Sequence, residues 1–235
     1  MNAHQLYQSG RLDEAIGALG VVLRDDPTNV RQRTFLFELL CFAGEYDRAE
    51  KQLDVIAQGS QEAAMGALLY RSALHAERLR QQMFAGQLEK PPATEAAQVS
   101  GTLNGRAFSS ISDADPRVGA RLEVFAAGQY TWVPFSHLAT IRIDSPKRLR
   151  DLLWSPAMVR AGAEFQDFEF GEMLVPVLSP LSWQSSDDEV RLGRVTDWET
   201  LADEVDIPVG QKLLRVDDEL VPILEVRELD ISPSP

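Results

Sequence analysis

In the first third of the chain, apolar residues recur at three- and four-residue spacing, the pattern of amphipathic helices. Ala15, Leu19, Val22 and Leu23 give one such face. The pattern predicts helices over roughly 3–9, 12–25, 29–42, 46–57 and 61–85. In DDPTN, Asp25 to Asn29, Pro27 cannot continue a helix and Thr28 or Asn29 can cap the next. Pro91 and Pro92 end the last helix, and a small, polar linker follows over 89–100.

Beyond the linker, helical spacing gives way to short strand-like runs. Leu122–Phe125 and Tyr130–Phe135 flank Ala127-Gly128 and read as a hairpin. Ala139–Asp144 and Glu172–Leu178 read as strands, and KLLRVDDELVPILEVRELDI as two strands joined at Asp217-Asp218. SPKRLRDLLWSPA reads as a short helix with Leu149, Leu152 and Leu153 inward, ended by Pro156. The expectation is an α+β chain. A helical domain spans 1–88, and a mixed, strand-rich domain over 101–235 forms a curved sheet or partial barrel.

The helical third repeats itself. SGRLDEAIGAL, from Ser9, returns 34 residues later as AGEYDRAEKQL, from Ala43. Gly10 matches Gly44, Leu12 Tyr46, Asp13 Asp47, Ala15 Ala49, Leu19 Leu53 and Val22 Ile56. A 34-residue period is that of the tetratricopeptide helix-turn-helix. The glycines suit a sharp turn between helices, and the alanines let helices approach closely. Arg78 stands where a third glycine would fall, so the last helix reads as a closing helix. In the repeat frame Tyr7, Arg31, Thr34, Glu38 and Cys41 face a concave groove, with Met65 and Leu68 on the closing helix. Such grooves take an extended peptide or a helix.

Composition narrows the function. The 235 residues are 44% hydrophobic and 25% charged, with a formal net charge of -13, ordinary for a folded chain but adverse to nucleic acid and anionic lipid. It favours a partner with basic residues on its rim. One cysteine, Cys41, excludes an internal disulfide and a cysteine-rich zinc site. No apolar run is long enough to span a bilayer and the N-terminus lacks signal-peptide character, so the expected location is cytoplasmic.

Chemistry-bearing motifs are sparse. His4, His75 and His137 are far apart and show no metal-ligand spacing. Asp113 and Asp115 form a D-x-D pair before Pro116, which suits hard-cation ligation or, more simply, a turn. Glu164, Asp167 and Glu169 alternate with Phe165, Phe168 and Phe170, and read as an acidic face over packed aromatics. No phosphate-binding glycine loop is present. No cofactor or metal is expected, and the chain reads as a non-enzyme.

GTLNGRAF (101–108), SDADPR (112–117), LEVFAAGQYTWVPF (122–135), LRDLLWSPA (149–157) and LGRVTDWE (192–199) are more particular. Their order behind the repeats resembles the ImpE/SciE/TagJ family of bacterial type VI secretion accessory proteins. The resemblance implies a cytoplasmic, non-catalytic adaptor that binds a helix of the small contractile-sheath subunit, TssB, with an indirect link to the ClpV ATPase. The first helix is short, so the groove's outer edge is expected to be less complete. Within the motifs, Asn104-Gly105 suits a tight turn. Trp132, Trp154 and Trp198 are large enough to anchor the sheet core. Arg150, Asp151, Arg194 and Asp197 are expected to form ion pairs fixing helix and loops to the sheet. The rival readings are a general peptide-binding scaffold, and an enzyme with a metal site at Asp113, Asp115 and His137.

Overall fold

A computed structural model describes residues 1–91, 99–162 and 171–232. The Glu164–Glu169 acidic run lies outside them.

Five helices open the chain: α1 (Ala3–Gln8), α2 (Leu12–Asp25), α3 (Val30–Phe42), α4 (Tyr46–Ala57) and α5 (Gln61–Phe84). Side-chain caps start three of them. Asn2 and Gln5 form a capping box on α1, Asn29 accepts from the Gln32 amide, and Ser60 accepts from the Ala63 amide. Gly10 and Gly44 both hold φ +72°, the left-handed turn expected between paired helices. The buried side is lined by Leu12, Ala15, Leu19, Leu39, Leu40, Phe42, Ala49 and Leu53, and each large aliphatic contributes about 1.5–3 kcal/mol on burial. Val22 is the exception on its predicted face. It lies exposed, on the groove side of α2.

The strands are β1 (Gly101–Leu103), β2 (Arg106–Phe108), β3 (Ile111–Asp113), β4 (Arg121–Ala126), β5 (Gln129–Pro134), β6 (Leu138–Ile143), β7 (Trp154–Ala161), β8 (Gly171–Pro176), β9 (Thr196–Thr200), β10 (Asp206–Gly210), β11 (Leu213–Val216), β12 (Glu219–Pro222) and β13 (Glu228–Ile231). A four-residue helix, α6 (Asp188–Arg191), precedes β9. An eight-stranded sheet runs in the order β2-β1-β13-β6-β7-β8-β4-β5, beside a three-stranded sheet β12-β11-β3 and the β9–β10 hairpin. Every recorded pairing is antiparallel.

The large sheet has two working faces. On one, Leu122, Val124, Ile141, Ala157, Val159 and Val175 pack with Leu214, Val216 and Ile223 near the small sheet. On the other, Phe125, Trp154 and partly buried Leu174 join the helical core. Period-two alternation thus sends neighbouring side chains of β4 and β7 into two different cores. The helices and the sheet share a core, with the Phe37 ring of α3 tilted against Trp154 at 6.5 Å.

Two predicted elements differ. Residues 149–157 do not form a helix ended by Pro156. A 3₁₀ turn spans Leu149–Leu152 and β7 begins at Trp154. The β6 ladder reaches β7 only at Ala157, so Pro156 stands just beyond it, where a missing N–H is tolerated. The stretch after Lys212 holds three strands instead of two. Asp217 turns β11 into β12 at φ +51°, and β13 follows a 3₁₀ turn to insert between β1 and β6.

Candidate partner-binding groove

α1 and α3 lie side by side, and the 146–152 segment before β7 forms the facing wall. Between them is a groove of about 1010 Å³. A second hollow of about 360 Å³ continues across α3 toward α5. Thr34 and Glu38 of α3 line both, so they form a waist between the two. At the outer end His4, Tyr7 and Phe35 form an aromatic cluster, with Tyr7 and Phe35 edge-to-face at 5.8 Å. At the inner end Arg150 stacks on the Tyr70 ring at 4.7 Å.

Glu38 is the unusual group. It is 8% exposed, and no hydrogen-bond donor among the described residues reaches its carboxyl. Burial raises that carboxyl from its usual 4.5 to about 7. Asp151 adds to the shift and Arg148 opposes it.

Of the residues the repeat frame placed in the groove, Tyr7, Arg31, Thr34 and Glu38 line it. Cys41 does not. It is buried beneath the groove near Tyr46 and Trp154, and burial pushes its thiol well up, which suits packing rather than reaction. Met65 and Leu68 are 66% and 60% exposed and line neither hollow. The α5 residues facing the groove are Ala63, Gly66, Ala67 and Tyr70. The rotation of α5 is set further along, where Leu74, Glu77, Arg80 and Phe84 are buried against the sheet. Extrapolating the repeat frame could not see that constraint. The 146–152 wall was also missed as a groove element, because only the tertiary fold brings it to α3.

A buried polar network holds the helices to the sheet. Arg80 donates to Glu123 at 2.8 and 3.1 Å, to the Leu178 carbonyl at 2.8 Å and to Glu77 at 3.2 Å. Lys212 bridges Glu123 and Asp113, and the Tyr130 hydroxyl donates to Glu123. The Trp154 indole N–H donates to Glu77 at 2.9 Å. Burial alone would raise Glu123, but Arg80 and Lys212 together hold it far below the usual carboxylate range.

The family-motif residues divide by role. Asn104 and Gly105, at φ +49° and +82°, form the tight β1–β2 turn, and the Asn104 side chain pins Glu225, Arg227 and Glu228. Asp113 is engaged by Lys212 and the Asp115 amide, and Asp115 by Arg117 through its guanidinium and amide. Their oxygens therefore serve turn and ion-pair geometry. Among the described residues no group of three or more His, Cys, Asp or Glu is placed to hold a metal.

Trp132 and Trp154 are buried where helices meet sheet, but Trp198 is 38% exposed on β9 and anchors no core. The expected set of ion pairs also differs. Arg194 pairs with Glu189 at 2.9 Å, whereas Arg150 stacks on Tyr70, Asp151 accepts from the Lys147 and Arg148 amides, and Asp197 accepts from the Trp198 amide. Arg194 also donates to the Tyr7 and Gln8 carbonyls and stacks on the Tyr7 ring at 5.0 Å. It thereby caps α1 from the far end of the chain. Trp183, not singled out by sequence, packs on Gly44, where an added Cβ would lie 2.5 Å from its ring.

No helix among the described residues is long and apolar enough to cross a membrane. A tetratricopeptide-repeat model matches residues 6–71, and an ImpE protein model matches residues 105–230. The type VI secretion system accessory component TagJ of Pseudomonas aeruginosa is 33% identical over 270 aligned positions, covering 100% of this chain and 92% of TagJ. The crystal structure of protein VPA1032 from Vibrio parahaemolyticus shares the fold, with a TM-score of 0.85 and 24% identity over 99% of this chain and 98% of that one. Repeats, sheet-domain motifs and full-length similarity agree, and the chain belongs to the ImpE/TagJ family.

Proposed function

We propose that this protein is a non-catalytic accessory adaptor of a type VI secretion system. In this reading it binds a helix of the small contractile-sheath subunit, TssB, in the groove over α3, and so modulates sheath assembly or ClpV-dependent recycling. The groove is the observation that carries the reading. It is open along α1 and α3, is walled by the 146–152 segment that leads into the LRDLLWSPA motif, and offers apolar Phe35, Leu149 and Leu152 beside polar Thr34 and Arg31. That mixture suits an amphipathic helix, whose apolar anchors bury while polar neighbours set the register. The full-length similarity to a type VI accessory component supports the system.

Calorimetric titration with the small sheath subunit of the same cell tests it. Binding is expected to be micromolar or tighter. Thr34→Trp, which fills the waist, should abolish it, while Met65→Asp and Leu68→Asp, outside both hollows, should leave it intact. Absence of binding to the wild-type protein would overturn the proposal.

A further inference from the structure

The groove contains a carboxylate that its own fold leaves without a partner. Glu38 projects from α3 at the waist, lines both hollows, and is more than nine-tenths buried. Buried carboxylates elsewhere in the molecule are met by donors: Glu123 by Arg80, Lys212 and Tyr130, and Glu77 by Arg80 and Trp154. A largely shielded acid that no protein donor meets is disfavoured in its charged form, and an occupant that supplies a cation relieves that cost.

The surroundings bear on which donor fits. Arg148 and Asp151 on the facing segment are the charges that act on Glu38. Arg31 of α3, Lys147 and Arg148 of the facing wall and His4 of α1 line the outer hollow, and Arg150 and, from α5, Glu62 line the inner one. Arg150 is stacked on Tyr70 and Lys147 is paired with Asp144, so neither is turned to Glu38. Arg148 lines the same outer hollow as Glu38 and lowers its carboxyl, yet forms no ion pair with it among the described residues. Glu38 lines the space that a bound segment would fill. Asp151 lines neither hollow but adds negative potential at Glu38, and the chain as a whole carries -13.

We infer that the segment bound in this groove seats a single cationic side chain, Lys or Arg, on Glu38, and that this contact sets the segment's register. The inference rests on the groove being the binding site, and it adds the recognition chemistry. A charge-assisted hydrogen bond that the bound segment covers from water is stronger than its solvent-exposed counterpart. Seating the cation ionises Glu38, so binding releases a proton in the range where the free carboxyl titrates. Affinity therefore rises from pH 6 to pH 8.

The probes are two labelled amphipathic helical peptides with the same leucine face. One has lysine and the other norleucine at the centre of that face. By fluorescence polarisation the lysine peptide should bind about tenfold or more tightly at pH 8, with a smaller advantage at pH 6. In Glu38→Gln, which preserves shape, both the preference and its pH dependence should vanish. Glu38→Asp, checked by circular dichroism alongside it, should keep part of the preference. Equal or tighter binding of the norleucine peptide, no binding of either, or an unchanged preference in Glu38→Gln would overturn the inference. The sheath subunit is titrated in parallel. If it fails to bind while the lysine preference holds, the proposed partner falls and the Glu38 contact stands. If it binds with an affinity indifferent to Glu38→Gln, the partner stands and the contact falls.

Discussion

Arg80 of α5 and Glu123 of β4 meet at 2.8 Å with almost no exposure of either side chain. This pair crosses from the last repeat helix to the sheet, and its surroundings complete it on both sides. Because both charges have left water, their mutual attraction and added hydrogen bonds must offset a desolvation cost of several kcal/mol per ion. The network fixes how the helices sit on the sheet, and hence where the 146–152 wall stands relative to α3.

Removing one partner should therefore be severe. Glu123→Gln leaves Arg80 and Lys212 buried with less compensation and is expected to cost about 3–5 kcal/mol in urea unfolding. The wild-type contribution has a defined pH sense. Glu123 is depressed in the folded state, so its stabilisation is present above the unfolded carboxylate value of 4.5 and is lost as pH falls toward the folded one. The stability difference between wild type and Glu123→Gln should shrink on acidification below about pH 4.5.

Glu38 carries the opposite sign. Its folded value, about 7, lies above its unfolded 4.5. Its contribution is thus fully present below pH 4.5 and lost as pH rises through 7. Glu38→Gln should stabilise the free protein at pH 8 by up to about 3 kcal/mol, with no gain below about pH 4.5. Denaturation at both pH values checks this, and a uniform effect would refute it.

Two glycines make a matched pair. Gly44 has φ +72° and lies against Trp183, while Gly17 lies within α2 with open space around its Cβ position. Gly44→Ala should cost about 2 kcal/mol or more through strain and a displaced indole, and shift tryptophan fluorescence. Gly17→Ala should stabilise by about 0.5–1 kcal/mol. Thermal melts of both variants distinguish a turn that needs glycine from a helix that merely contains one.

Arg194 should govern the outer end of the groove. α1 has six residues, too few to hold a helix unaided, and Arg194 secures its C-terminal carbonyls and Tyr7 ring. Arg194→Ala is expected to lower stability by about 1–2 kcal/mol and to speed amide exchange over residues 3–8, leaving α4 unchanged. Unaltered exchange in α1 would show that the cap is dispensable.

The helices, their glycine turns and the strand-rich second half were legible in the chain because they rest on local rules. These are apolar spacing, capping residues, and Gly or Asn where φ must be positive. The 34-residue echo also pointed to α3 as a groove wall, and Thr34 and Glu38 lie there. What the chain could not disclose depends on contacts between distant segments. The direction in which α5 turns Met65 and Leu68 is decided by Leu74, Glu77, Arg80 and Phe84 packing on the sheet. Trp198 stands at the surface because β9 pairs only with β10 among the described strands. The 146–152 wall, and with it a groove carboxylate that no protein donor meets, exists only once β7 has been placed beside the helices. Local sequence sets which side chains a helix or strand can present. Long-range packing selects which of them meet, since the burial that decides it is shared between elements far apart in the chain.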